Sequence, residues 1–149
     1  MGAMQRRKGK AFERTVANLF KPVFPTAKRT LTQQRDSGEA PDIEAPGWWV
    51  EAKAHKRVNI QKAFAQAVNE VARAKSALTP VAVTKDNKAE IMATLRLKDF
   101  LRLVAAAEQH KAEEREACAK VADDYKVSCG AAYGASLEIA AAIRNRGAT

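Results

Sequence analysis

The sequence predicts a mixed α/β fold: a mixed central sheet flanked by helices in the order α-β-β-β-α-β-β, followed by a C-terminal helical extension. Three observations predict it. Strand-like stretches cluster around residues 41–54 and 81–95, each divided by turn-forming residues. Amphipathic stretches of helical period lie before and between them, at residues 8–20 and 60–78. A hydrophobic content of 46% with 29% charged residues, over 149 residues, suits one domain that buries a core without disulfides or structural metal.

Residues 8–20 place Phe12, Val16, Leu19 and Phe20 at i, i+4, i+7 and i+8, the apolar stripe of a short helix, with Glu13 on its border. Pro22 and Pro25 end it. The Thr-rich run 28–34 reads as a strand, and Arg35-Asp36-Ser37-Gly38-Glu39 as the loop after it. Residues 41–45 and 48–54 form a hairpin around Pro46-Gly47. A long amphipathic helix over 60–78 carries Ile60, Phe64, Ala67, Val68, Val71 and Leu78; Asn59 can cap it and Thr79-Pro80 breaks it.

Residues 81–84 and 91–95 are two further strands, joined by Lys85-Asp86-Asn87-Lys88. From about Lys98 the pattern is helical to Tyr125, breaks over 128–134, and resumes as a last helix to Arg146. The division expected is a core over residues 1–104 and an extension over 105–149. Val121, Tyr125, Leu137, Ile139 and Ile143 of the extension are expected to pack on the core or on a second subunit.

No apolar stretch reaches the roughly 18 residues a membrane span needs, and the basic N-terminus has no signal-peptide core. A cytoplasmic protein without membrane partners is the expectation. Met1-Gly2-Ala3-Met4 has the look of a cloning remnant ahead of a natural start at Met4. Cys118 and Cys129 are too few for a zinc site and are expected to be small buried side chains. The net charge of +9 is unevenly spread: residues 1–104 carry 20 Lys/Arg against 10 Asp/Glu, and residues 105–149 carry 6 against 7. The field that attracts polyanions therefore belongs to the first two-thirds of the chain.

The strand 48–54 has two faces. Trp48, Val50, Ala52 and Ala54 point one way; Trp49, Glu51 and Lys53 point the other. The second face sets a carboxylate beside an ammonium, one strand away from Asp42 across a tight turn. Converging carboxylates suit a hard divalent cation, which prefers oxygen ligands and leaves room for water and a phosphate oxygen. A lysine beside such a water can orient it, take its proton if its own pKa is depressed, or stabilise developing charge.

Pro41-Asp42, eight residues, then Glu51-Ala52-Lys53 resembles the PD-(D/E)xK nuclease motif. More of the chain is similar to one branch, the archaeal-type Holliday junction resolvases. Lys8-Gly9 and Glu13-Arg14 stand where that branch opens its first helix, and Arg35, Ser37 and Gly38 where it places an Arg-x-Ser-Gly-like loop. Residues 80–83 and 91–104 look like its closing elements, so the resemblance covers roughly residues 6–104. It implies a restriction-endonuclease-like core and a Mg²⁺ cofactor, with Mn²⁺ as a substitute. Asp42 and Glu51 would ligate the metal, Glu13 would be a further acid near it, and Lys53 would act on the attacking water.

It also implies a homodimer acting on branched DNA, a four-way junction first among candidates, because two symmetric nicks need two sites. Arg6, Arg7, Lys8, Lys10, Arg35, Ser37, His55, Lys56 and Arg57 are the residues expected to hold DNA. The extension departs from the branch and bears a likeness to C-terminal pieces of bacteriophage-encoded proteins.

Plainer readings stand beside these. Asp42 can be a turn residue, with Glu51 and Lys53 an exposed ion pair worth little. Glu13 can pair with Arg14 or Lys10 on a helix surface, and Arg35 and Ser37 can simply shape a loop. Gln66 can belong to a solvated helix face, although several nuclease branches use a glutamine near the site. Trp48 and Trp49 read as one core residue and one half-exposed residue rather than a base-stacking pair. His55, Lys56 and Arg57 can be the solvated end of a strand. The functional alternatives are a general phage or restriction-like nuclease and a non-catalytic DNA-binding module.

Overall fold

The computed structural model describes residues 3–31, 40–128 and 133–145, with side chains for 6–31, 40–124 and 138–145. The chain divides into two compact units, Met1–Arg96 and Leu97–Thr149. Among the described residues no helix is long and apolar enough to cross a membrane.

The first unit is a mixed five-stranded sheet with a helix on each face. Its elements run α1 (Ala3–Phe20), β1 (Lys28–Arg29), β2 (Ile43–Ala45), β3 (Trp48–His55), α2 (Ile60–Arg73), β4 (Thr79–Asp86) and β5 (Ile91–Thr94). The strands lie in sequence order across the sheet. All neighbours are antiparallel except β3 and β4, which run parallel. A parallel pair needs a crossover, and α2 supplies it. The β2–β3 turn is tight because Pro46 leads into Gly47, whose φ of +80° falls where a side chain is disfavoured.

Strand period assigns the two faces. Val50, Ala52, Val81 and Val83 join Phe12, Val16, Ala17, Ala27, Ile43 and Ala45 in the core under α1, with Phe20, Phe24 and Trp48 packed against it. On the other face α2 lies over β3 and β4, and its buried residues, Ala63 and Ala67, are small enough to let the helix come close.

Several elements differ from expectation. Helix α1 begins at Ala3, well before residue 8, because residues 3–7 are adequate helix formers that carry no apolar period to betray them. Its buried stripe is rotated as well. Leu19 is 58% exposed, while Glu13 and Ala17 are buried beside Phe12 and Val16. Strand β1 is assigned only over Lys28–Arg29, although Thr30 still donates its N–H to the Asp42 carbonyl at 3.0 Å. Residues 32–34, the loop with Arg35 and Ser37, and Cys129 lie outside the described residues.

Thr79 and Pro80 belong to β4 rather than to a helix end, α2 having stopped at Arg73. Proline is tolerated there because β5 pairs only with Ala82 to Lys85, so it never faces Pro80. Ile60, expected on the buried stripe of α2, is exposed.

The second unit contains α3 (Leu97–Ser128) and α4 (Tyr133–Asn145), packed on each other with Ala119 and Ala140 buried. The Arg144 guanidinium donates to both oxygens of Glu116, at 3.1 and 3.3 Å, and to Asp123 at 2.8 Å. Residues 97–104, assigned from sequence to the core, are part of this unbroken helix. Val121 and Ile139 are exposed, Ile143 is half-buried, and the side chains of Tyr125 and Leu137 lie outside those described. Cys118 is exposed, contrary to the expected buried position.

Candidate active site

Asp42 and Glu51 flank a paired position of the hairpin. Ile43 of β2 pairs with Val50 of β3; Asp42 precedes the first and Glu51 follows the second. The two acids are therefore at the same end of neighbouring strands. Both are buried, Asp42 at 2% exposure and Glu51 at 3%. Asp42 lies in the bend that leads into β2, and the Glu51–Lys53 pair is not an exposed one, since the Glu51 carboxylate is buried.

Asp42 is fixed by the backbone. Its N–H donates to the Val50 carbonyl at 2.9 Å, and its Oδ2 accepts the Ala52 N–H at 2.8 Å. A side chain thus takes the place of a ladder carbonyl at the edge of β2, and the strand carrying Glu51 also holds Asp42.

Glu51 is held through one oxygen. Lys53, two residues along the same face, forms an ion pair with Oε1, and the Gln66 amide of α2 donates to the same Oε1 at 3.0 Å. Oε2 has no hydrogen-bond partner among the described residues. Gln66 is thus no solvated surface residue; it reaches the motif carboxylate directly. It also donates to Oε1 of Glu70 at 2.8 Å, and Glu70 accepts the Trp49 indole N–H at 3.4 Å. Trp49 is buried and Trp48 is half-buried against the core, one core residue and one half-exposed residue.

The electrostatics follow from this crowding. Burial, and then the charge of Asp42 with a smaller push from Glu70, raise the Glu51 pKa from 4.5 to about 7 against the opposing pull of Lys53. For Lys53, burial pulls the pKa down, but Glu51, Asp42 and Glu70 together outweigh it and leave it raised. Lys53 is therefore held as an ammonium against Glu51, without the depressed pKa that a general base requires.

Glu13 is buried on α1, and Arg29 of β1 donates to its Oε2 at 3.2 Å. It therefore pairs across elements, from α1 to β1, and is not a solvated helix-surface carboxylate. Among the described residues no three acidic, histidine or cysteine side chains gather into one metal-binding group. Asp42 and Glu51 are the adjacent acidic donors that the hairpin presents. Such a pair fits Mg²⁺, which is commonly held by one or two carboxylates and completes its shell with water and phosphate. The partnerless Oε2 of Glu51 and the mutual repulsion of two buried acids both favour a cation there.

Arg6, Arg7, Lys8 and Lys10 are exposed on α1, and His55, Lys56 and Arg57 are exposed at and beyond the end of β3. Sequence reasoning passed over Arg29 and Glu70. Arg29 meets Glu13 across 16 residues and Glu70 meets Trp49 across 21, and neither carries a local motif.

Compared with protein-family models, with curated proteins and with solved structures, the chain matches none.

Proposed function

We propose that this chain is a metal-dependent DNA endonuclease with a restriction-endonuclease-like core, cutting branched duplexes and four-way junctions before others. The observation that carries this reading is the joint burial of Asp42 and Glu51 on adjacent strands, with the Lys53 ammonium against Glu51. A purely structural domain gains nothing from two buried acids that raise each other's energy. A site that takes up a dication does.

Asp42 and Glu51 would hold Mg²⁺ or Mn²⁺, with Glu13 assisting from α1. When bound, the cation supplies Lewis-acid polarisation of the scissile phosphate and acidifies a water. The chain's own part is positional and electrostatic. Ala52 fixes the Asp42 carboxylate through its N–H, and Gln66 fixes that of Glu51. Lys53 remains an ammonium that orients the attacking water and steadies the charge that builds on phosphorus oxygens. Arg6, Arg7, Lys8 and Lys10 on one element, and His55, Lys56 and Arg57 on another, supply contacts for the DNA backbone. Arg35 and Ser37 complete the proposed set. A homodimer working in the cytoplasm is the assembly that would yield two symmetric nicks.

The test incubates purified protein with labelled four-way junction, linear duplex and single strand, in Mg²⁺ or EDTA. Paired symmetric nicks in Mg²⁺ that vanish in Asp42→Ala, while junction binding persists, are the expected result. Equal cutting of all three substrates would replace the junction assignment with a general nuclease. Binding with no metal-dependent cutting would leave only a DNA-binding module.

A further inference from the structure

Trp49, Glu51, Gln66 and Glu70 form a closed set of contacts between β3 and α2. Trp49 and Glu51 are two apart on one strand face, a spacing of about 6.6 Å. Gln66 and Glu70 are four apart on one helix face, a rise of about 6 Å. Because α2 crosses back over the parallel pair β3 and β4, it runs opposite to β3. Matched spacings and opposed directions let Trp49 meet Glu70 at 3.4 Å while Glu51 meets Gln66 at 3.0 Å. The fourth side is the Gln66 to Glu70 bond at 2.8 Å.

A glutamine amide can be turned over, presenting its oxygen or its nitrogen to a given neighbour. Here both neighbours of the Gln66 nitrogen are carboxylate oxygens, which only accept when ionised. Glu70 thereby holds the amide with its N–H groups forward, and Trp49 holds Glu70. The consequence falls on Glu51: Oε1 is occupied by Gln66 and Lys53, and Oε2 is the oxygen left to a ligand.

Resting on the metal-site reading above, we propose that Glu70 is a positioning residue which, through Gln66, orients the Glu51 carboxylate so that Oε2 is offered to the divalent cation. Loss of an outer partner of this kind typically lowers metal affinity by about 10- to 100-fold. Glu70 bonds Gln66 and Trp49 rather than Glu51, so beyond the smaller direct push of its charge its hold on the Glu51 carboxylate passes through the amide.

The test is calorimetric titration of the metal-free protein with Mn²⁺, without DNA. The proteins are wild type, Asp42→Ala, Glu70→Ala, Glu70→Gln, Gln66→Ala and the Gln66→Ala/Glu70→Ala double variant. Circular dichroism and thermal melting in EDTA check folding. If Glu70→Ala does not fold, Glu70→Gln, which keeps the volume and permits the amide to turn, is compared in its place, alone and combined with Gln66→Ala. The expected result is Mn²⁺ affinity about tenfold or more below wild type in each single Glu70 variant and in Gln66→Ala. The double variant should be no weaker than either single one, because both changes remove the same arm. Wild-type affinity in the Glu70 variants, or losses that multiply in the double variant, would overturn the positioning role. If that happens while Asp42→Ala still abolishes binding, the metal-site reading survives. Absence of Mn²⁺ binding in the wild type would remove both.

Discussion

The Ala52 backbone N–H donates to Asp42 Oδ2 at 2.8 Å, so the carboxylate closes a gap in the sheet as well as facing Glu51. These two duties separate by substitution. Asp42→Asn keeps an acceptor oxygen for Ala52 and removes a negative charge from beside Glu51. Asp42→Ala leaves a buried N–H without a partner, a loss of roughly 1–3 kcal/mol. In EDTA at neutral pH, urea unfolding should therefore find Asp42→Asn at least as stable as wild type and Asp42→Ala less stable than Asp42→Asn by that amount. Both should lose metal-dependent cutting. An Asp42→Asn protein much less stable than wild type would mean that the charge is not a strain on the metal-free fold.

Glu51 links stability to pH. Its folded pKa, raised to about 7 chiefly by burial and then by Asp42, lies above the unfolded value of 4.5. The folded state thus binds the proton more tightly, and this contribution is fully present below pH 4.5. It is lost as pH rises through about 7, by an amount on the order of 3 kcal/mol for a shift of this size. Glu51→Gln mimics the protonated acid and isolates the effect. In EDTA the stability of wild type relative to Glu51→Gln should fall between pH 4.5 and about 7 and then level off. Excess Mg²⁺ should flatten the decline, because the ion binds the ionised pair and not its protonated form.

The hairpin and its three chemical residues are legible in the sequence because every relevant spacing is short. Pro46-Gly47 marks the turn, and a period of two puts Glu51 and Lys53 on one face. What surrounds them is not legible in that way. Glu70 meets Trp49 across 21 residues and Arg29 meets Glu13 across 16, and only the packing of helices onto the sheet sets those pairs. The rotated stripe of α1 has a similar origin. Leu19 and Ala17 border the stripe on opposite sides, and the side that meets the core with Ile43 and Val50 is the one that carries Glu13 and Ala17. The flanking of the sheet by helices is legible, but not which strand face each helix covers. Trp49 occupies what reads as the polar face of β3 and is buried there.

Lys53 distinguishes two chemistries. With its pKa raised rather than depressed, it is an ammonium at neutral pH. Arginine preserves positive charge but cannot serve as a base. Lys53→Arg should accordingly retain measurable cutting, within about 100-fold of wild type, whereas Lys53→Gln should fall further, in line with loss of a transition-state donor worth about 10²–10³ in rate. Single-turnover cleavage in saturating Mg²⁺ measures this. Equal inactivity of the two variants would restore the general-base role.

Lys56 and Arg57 are exposed just past the end of β3, the strand that carries Glu51 and Lys53. On the proposed nuclease reading, a duplex whose phosphate reaches the acids would pass near that strand end, and these two cations would bind its backbone. Contacts of this kind release counterions, and each one adds about 0.9 to the slope of log affinity against log salt on duplex DNA. Neutralising both, as Lys56→Gln/Arg57→Gln, should lower the slope for junction binding by nearly 2 and weaken binding alike for every arm sequence. Melting temperature should stay near wild type because neither side chain is buried. Fluorescence anisotropy over a salt series reads the slope. An unchanged slope would move the DNA path away from this strand end and leave the α1 cations, Arg6, Arg7, Lys8 and Lys10, as the remaining described backbone contacts in the proposed set.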